Sequence, residues 1–416
     1  MMLPYHHKRM DCRLCSSNAL ERVLELTPTP PANALVSAAE KYKEQTVYPL
    51  DVYRCVDCGH LQLLDIVDPK ILFSDYPYVS STSHVMVDFL KSQSTSIISR
   101  LKLKPGDLVV EFGSNDGTLL RFFKEAGMRV LGVDPAVNVA PEINDIENIR
   151  DFFSAELGKK IREQYGPAKA ICAYNVCAHI DDLRGVIEGV RSLLAQDGQF
   201  VFEVGYLLDV YRKTLFDTIY HEHLDFHHVE SLKRFFFSNE LKLLHVEHSD
   251  IQGGALVGYV GDSIGLEDIT VEEFINREHV EGIHLVDTFL HWGDMIKQTG
   301  EKLMMLLLDL KAKGQSIAAY GATAKATTLM YHFGLNSSVI DYIVDDNPLK
   351  QGLFSPGLHI PILSPEVLYQ EKPDYVLVLA WNFAEPIIAK HRFYAGDDSR
   401  FIIPLPVLTV IKKGNG

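Results

Sequence analysis

The segment from Leu108 to Asp134 constrains the fold more than any other. Leu108-Val109-Val110-Glu111-Phe112 is a short apolar run, and Gly113-Ser114-Asn115-Asp116-Gly117 follows it directly. Thr118 opens a stretch that carries Leu119, Leu120, Phe122 and Phe123 at helical spacing. Val130-Leu131-Gly132-Val133 is a second apolar run, closed by Asp134, 23 residues beyond Glu111. Strand, glycine-rich turn, helix and acid-terminated strand is the order of a parallel α/β unit that holds a nucleoside. The glycines let the backbone approach a ligand, and the distal acid accepts hydrogen bonds from ribose hydroxyls. A generic α/β turn with no ligand is the bland alternative.

A dinucleotide site prefers G-x-G-x-x-G at this turn, and Glu111 to Gly117 lacks that spacing. The turn instead resembles the first motif of class I S-adenosylmethionine (SAM) methyltransferases, and Asp134-Pro135 resembles their ribose-binding acidic loop. The resemblance implies SAM as cofactor, with Glu111, Gly113, Asn115, Asp116, Gly117, Asp134, Pro135 and Asn175 as its binding residues. The chain continues as such a fold requires. Asp151-Phe152-Phe153 falls where these domains place a loop beside the adenine, and Ala168 to Asn175 reads as a buried strand. A Leu- and Val-rich helix and the strand Phe200–Val204 follow. His179 sits just past a strand's carboxyl end, where open α/β sheets gather their ligands. Residues 85–103 read as a helix ahead of this unit, stopped by Lys104-Pro105-Gly106.

Cysteine placement is the second constraint. Cys12-Arg13-Leu14-Cys15 and Cys55-Val56-Asp57-Cys58 are two CxxC pairs, which can set four thiolates tetrahedrally around one Zn²⁺. Gly59 follows the second pair and relieves its turn. The long intervening loop closes at little cost, because loop entropy grows only logarithmically with length. Four sulfurs close the site, so the metal is expected to serve folding. A redox role is disfavoured, because neither pair sits in a strand–helix setting. Cys172 and Cys177 read as core cysteines.

A chain of 416 residues exceeds one ordinary core and suits two or three domains. Lys and Arg total 40 against 55 Asp and Glu, a net charge of −15, which disfavours a nucleic-acid backbone binder. It leaves room for a local basic pocket that takes a phosphorylated small molecule. No run of about 18 uncharged apolar residues exists, so no membrane partner is expected. Met1 to Met10 lacks an apolar core, so no secretory signal is read there and the expected location is the cytoplasm. Oligomeric state stays open.

Tyr220-His221-Glu222-His223-Leu224-Asp225-Phe226-His227-His228 is the densest polar and aromatic cluster in the chain. His221 and His223 are two apart, and the HExxH spacing is absent, so a catalytic metal is disfavoured. Histidine can instead act as a general base at neutral pH, held by the neighbouring Tyr and Glu. A solvated loop with chance histidines is the bland reading. Further on, residues 270–311 read as a long helical region. Ser316–Tyr320, Val339–Asp346 and Tyr375–Ala380 then read as strands, with Gly321-Ala322-Thr323-Ala324-Lys325 turning into a helix after the first. A helix N-terminus there can bind an anion, with Lys325 adding charge. A scaffold domain that binds nothing is its alternative. Gln252-Gly253-Gly254-Ala255 fits either a substrate-side loop or a hairpin turn.

Taken in order, these pieces resemble the nucleotide-sugar C-methyltransferases, which build branched deoxysugars. The matching pieces are the two CxxC pairs, Tyr48 to Val52, Cys55 to Gln62, Asp75-Tyr76-Pro77-Tyr78 with Ser80 to Ser83, Glu111 to Gly117, Tyr220 to His223, Tyr320 to Lys325, and Asp345 to Pro348. They run over nearly the whole chain. The resemblance implies an α/β protein in three parts: a zinc-binding module over 1–75, a SAM-dependent methyltransferase Rossmann-like domain over 76–265, and a second Rossmann-like domain over 266–416. It implies a TDP-4-keto-deoxysugar substrate methylated at C-3′. His223 would be the base, and Glu222, Tyr220 and His179 would orient or tune it. Tyr76 or Tyr78 would lie near the sugar, and Lys325, Tyr320 and Gly321 would lie near its pyrophosphate. Two other readings stay open: a class I methyltransferase with a different acceptor, and a nucleotide-sugar-binding zinc protein that has lost methyl transfer.

Overall fold

The computed structural model describes residues 5–73, 79–138, 146–262, 265–394 and 396–412. Tyr76 and Tyr78, one of which was expected near the sugar, lie outside the described residues. The chain is α/β throughout, with a small cysteine-bearing module, a seven-stranded sheet and a six-stranded sheet.

The seven strands are β1 (Leu108–Phe112), β2 (Arg129–Val133), β3 (Asn148–Ile149), β4 (Ala168–Tyr174), β5 (Leu194–Gly205), β6 (Leu241–Ser249) and β7 (Ala255–Asp262). They lie side by side in the order β3-β2-β1-β4-β5-β7-β6. The first five run parallel, and β7 runs antiparallel to both its neighbours. Every residue of β1 is buried because helices cover both faces of the sheet, which is why a continuous apolar run forms a central strand. Leu108, Val110 and Phe112 pack on one side and Val109 on the other. Glu111 is on the Val109 face by the two-residue alternation of a strand. Helix His84–Leu101 lies ahead of the sheet, its first turn capped by Ser83 Oγ accepting from Met86 N.

In the N-terminal module, Leu20–Leu24, Val52–Cys55 and Leu61–Leu63 form an antiparallel sheet. Its fourth strand is Asp225–Phe226, which comes from the histidine-rich segment and pairs with Leu61 and Gln62. The loop between the CxxC pairs also reaches across the molecule: Ala32 O accepts from Thr327 Oγ1 at 3.0 Å, and Val36 pairs with Phe354.

The C-terminal sheet has the order Ile362–Leu363, Ile343–Val344, Ile317–Tyr320, Tyr375–Val378, Arg400–Ile403, Thr409–Lys412, parallel except for the last strand. Two expectations change here. The helical region breaks into Ile269–Val280 and Val286–Ala312, because Gly282 adopts φ +71° and lets the first helix end. Of Val339–Asp346, Ile343–Val344 alone is strand. Asn336 turns the preceding stretch, its Oδ1 and O accepting from Ser338 N, Val339 N and Ile340 N, so Val339 and Ile340 are buried in a turn. Among the described residues no helix is long and apolar enough to cross a membrane.

Candidate active site

The turn after β1 lines a cavity of about 350 Å³ at the carboxyl ends of β1, β4 and β5. Gly113 has φ +67°, and a Cβ on it would sit 2.1 Å from Val176 Cγ2, so glycine alone lets the turn pass this close. Asn115 N donates to Asp134 Oδ2 at 2.8 Å, and Ala136 N donates to Asp134 Oδ1 at 2.9 Å. Two backbone donors therefore aim the carboxylate from the end of β2 into the cavity. Glu111, Gly113, Asn115, Asp134, Pro135 and Asn175 all line it, as do Asp151, Phe152 and Phe153. Asp116 and Gly117 do other work. Asp116 accepts from Ser81 N at 3.0 Å and from Thr118 Oγ1 at 2.7 Å, and Gly117, at φ +69°, caps helix Thr118–Glu125.

Besides Asp134, two further buried acids, Glu111 and Glu203, give this cavity its electrostatic character. Glu111 Oε2 is buried without a hydrogen-bond partner, and burial, with Asp134 and Asp116 nearby, holds its carboxyl well above the usual range. Glu203, near the end of β5, is pushed up to about 7 by burial, partly offset by the backbone hydrogen bond from Asn175. A cationic ligand would relieve both, since an opposite charge favours the ionised form. The volume, the unpartnered carboxylate and the paired-donor acid fit SAM, a nucleoside with a sulfonium and an ammonium group.

His179 forms one wall of the cavity. Its ring stacks between Phe73, at 5.4 Å, and His223, at 5.0 Å. Thr218 O accepts from His223 Nδ1 at 2.7 Å, which makes Nδ1 the protonated nitrogen. Nε2 is left as the lone-pair nitrogen, 3.2 Å from Tyr220 Oη. Burial lowers His223 to about 4; the Thr218 carbonyl opposes this, and the Lys325 charge adds to it. Burial first, and then the neighbouring His223 imidazole, likewise hold His179 well below its ordinary value. Glu222 is buried, and its Oε1 accepts from Asn33 Nδ2 of the inter-cysteine loop at 2.7 Å. The structure thus brings His179, Tyr220 and His223 together beside the cavity. Two of the other histidines face structural partners, while His227 stacks on His60 at 5.5 Å with neither ring nitrogen hydrogen-bonded. His221 Nε2 meets Pro49 O at 3.2 Å, and His228 Nδ1 meets Glu278 Oε2 at 3.3 Å.

The four cysteine Sγ atoms lie within 4.8 Å of one another, with Cys12–Cys58 and Cys15–Cys55 each at 3.5 Å. A tetrahedral zinc site with Zn–S bonds near 2.3 Å has edges of about 3.8 Å, so the sulfurs fit that ion. Cys12, Cys55 and Cys58 are buried, and Gly59 turns the second knuckle at φ +77°.

On the C-terminal side, Lys325 opens helix Ala324–Phe333, which packs on the segment leading to Tyr220. Thr328 Oγ1 donates to Ile219 O at 2.8 Å, and Trp381 Nε1 donates to Asp217 Oδ2 at 2.7 Å. Lys325 Nζ is buried with no hydrogen-bond partner, and burial lowers its amine, partly offset by Asp217. Tyr320 and Gly321 sit deeper. Tyr320 Oη donates to Asp346 Oδ2 at 2.8 Å and meets His391 Nε2 at 3.0 Å. A Cβ on Gly321 would meet Ala380 Cβ at 2.6 Å. The turn repeats the motif of the first sheet: Asp345 accepts from Ala322 N and Asn347 N, both at 2.8 Å, as Asp134 does from Asn115 N and Ala136 N.

Sequence reasoning passed over several residues at this centre. Asp181 and Glu203 line the cavity, and Asn33, Asp217, Arg13 and Asp225 hold the residues behind it, Asn33 through Glu222, Asp217 through Trp381, and Arg13 with Asp225 through Asp181. A usable signal existed only for Glu203, an acid inside a strand that is otherwise apolar.

Three family models match segments of this chain. Residues 12–73 match a zinc binding domain family, 86–246 a methyltransferase domain family, and 250–406 a C-methyltransferase C-terminal domain family. Over 405 residues the chain is 36% identical to the C-methyltransferase NovU of Streptomyces niveus, covering 96% of each. Among solved structures, magnesium protoporphyrin IX methyltransferase from Synechocystis PCC 6803 with bound SAH aligns at 15% identity and a TM-score of 0.34, over 44% of this chain and 88% of that one. The YcgJ protein from Bacillus subtilis aligns at 13% identity and 0.32, over 41% and 99%.

Proposed function

This chain belongs to the C-methyltransferase family and is a SAM-dependent enzyme, and from that premise we propose that it methylates C-3′ of a TDP-4-keto-deoxysugar. The observation that carries the reading is the state of His223. Its Nδ1 proton is committed to Thr218 O, which leaves the Nε2 lone pair beside the wall of the cofactor cavity. A carbon acceptor needs such a base, because carbon is a poor nucleophile until its proton leaves.

When bound, SAM supplies an electrophilic methyl group to the acceptor carbon and leaves as SAH. Glu111 and Asp134 would hold its cationic and ribose groups, with the backbone at Gly113, Asn115 and Asn175 enclosing it. His223 Nε2 takes the proton from C-3′, alpha to the carbonyl. The C–H electron pair moves into the ring, and the C-4′ oxygen takes up the negative charge of an enediolate. Tyr220 Oη, 3.2 Å from His223 Nε2, is placed to donate to that oxygen or to the base. His179 packs flat on His223 and fixes its plane, and the hydrogen bond from Asn33 to Glu222 holds the backbone between them and Tyr220. The unpartnered Lys325 ammonium, at the start of a helix, is the anion-seeking group for the diphosphate. Tyr76 or Tyr78 would complete the sugar pocket.

Solvent exchange tests this reading without methyl transfer. With SAH in place of SAM, the enzyme in ²H₂O is expected to wash deuterium into C-3′ of the keto sugar. His223→Ala should slow that exchange by at least about 10²-fold, the usual worth of a general base, with SAH affinity retained. Exchange at the native rate in this variant would remove His223 from the role.

A further inference from the structure

We propose that Arg13, inside the first CxxC knuckle, is a positioning residue that sets the His179–His223 pair, so that the zinc module governs proton abstraction without touching substrate. The proposal rests on the reading of His223 as base. Its observations are geometric. The Arg13 side chain is wholly buried. NH1 donates to Leu63 O at 2.7 Å, to Gln62 Oε1 at 3.1 Å and to Leu224 O at 3.3 Å. Nε donates to Asp181 Oδ1 at 3.1 Å, and NH1 lies 3.6 Å from Asp225 Oδ1. Asp181 is two residues past His179, and Leu224 is the residue after His223. One guanidinium therefore holds both histidine-bearing loops.

The two loops are also joined directly, Leu224 N donating to Ala178 O at 2.7 Å. The backbone bond fixes their spacing at one point only. The guanidinium adds a tie at Asp181, on the far side of His179, and a second one at Leu224, beside His223, which leaves the 5.0 Å ring stack little freedom to rotate. The planar fork is what does this: a lysine ammonium at the same place cannot address two carbonyls and two carboxylates in fixed directions. Arg13 lies between Cys12 and Cys15 in the chain, so a metal held by those thiolates would keep its backbone rigid. Two aspartates balance the buried charge, and Asp225 is itself held by His60 Nε2 at 2.6 Å.

The test uses Arg13→Lys and Asp181→Asn, each checked for zinc content, SAM affinity by calorimetry and turnover of the keto sugar. Long-range ¹H–¹⁵N spectra of the imidazoles add the tautomer of His223. The expected result for Arg13→Lys is a fall in kcat of about 10²-fold, the scale of loss when a reacting group is misplaced by about 1 Å. KM and SAM affinity should stay within about threefold, zinc should be retained, and the His223 signals should shift from the Nδ1-protonated pattern. Asp181→Asn should lower kcat less, and the two losses should not add, because they break one bridge. Native kcat and an unchanged His223 spectrum in both variants would overturn the proposal. So would loss of SAM binding in step with kcat, which would mark Arg13 as general scaffolding. A shifted spectrum in Arg13→Lys alongside an active His223→Ala enzyme would instead condemn the base assignment and leave the positioning contact standing.

Discussion

His223 should give this enzyme an unusual pH profile. Burial lowers its imidazole to about 4, Lys325 adds to the effect, and the Thr218 carbonyl only partly opposes it. SAM in the adjacent cavity brings further positive charge, which lowers it again. The sign follows directly: the base form is neutral, and a lowered value keeps it neutral on acidification. An ordinary histidine, near 6.5, is about 9% neutral at pH 5.5, which costs about elevenfold in a base-dependent rate. A histidine near 4 is about 97% neutral there, and the rate is unchanged. The assay is kcat/KM for the keto sugar between pH 5 and 8, with SAM saturating at every point so that cofactor binding does not enter. The expected profile is flat to within about 1.5-fold from pH 8 down to 5.5. An acid limb with a midpoint near 6.5 would refute the account of a desolvated base, whatever the effect of mutating it.

SAM affinity itself should weaken on acidification, because Glu203, pushed up to about 7, takes up a proton that opposes a cationic ligand. Calorimetry should show the dissociation constant rising severalfold between pH 8 and 6, and Glu203→Gln should flatten that dependence; a parallel slope in the variant assigns it elsewhere. Gly113→Ala places a Cβ 2.1 Å from Val176 Cγ2 at a positive φ. Overpacking of this kind costs about 1–3 kcal/mol, so the variant should melt lower and bind SAM at least tenfold more weakly, and native binding would contradict the close approach at the turn. Cys12→Ser should lose zinc and lower the unfolding temperature, since metal binding in closed thiolate sites is folding free energy. A zinc-free, fully active and equally stable variant would overturn the structural role.

What could be read in the sequence was what is local. The turn from Glu111 to Gly117 and the acid at Asp134 act within one strand–helix–strand unit, and their spacing carries the geometry. The two CxxC pairs state their partners by pattern alone. The histidine segment announced itself by composition, but composition could not separate His223 from His221 or His228. Their environments do so, through Thr218 O for His223, Pro49 O for His221 and Glu278 for His228. Arg13 was invisible for the same reason. Its partners Asp181 and Leu224 lie 168 and 211 residues away, and nothing in Cys-Arg-Leu-Cys distinguishes it from a surface residue. Periodicity also overreached where burial and strand part company: Val339 and Ile340 are apolar because they are buried, while Asn336 turns their backbone out of the sheet.

Mass spectrometry of a single reaction tests the central claim most directly. The purified protein is incubated with SAM and TDP-4-keto-2,6-dideoxyglucose, alongside TDP-4-keto-6-deoxyglucose, each carrying deuterium at C-3′. The account predicts that one of the sugars gains one methyl mass and loses its C-3′ deuterium. A methyl gained with the deuterium retained would place the transfer on oxygen or another carbon and contradict the mechanism. No methyl gained on either sugar, with SAM still bound, would contradict the keto-sugar acceptor itself.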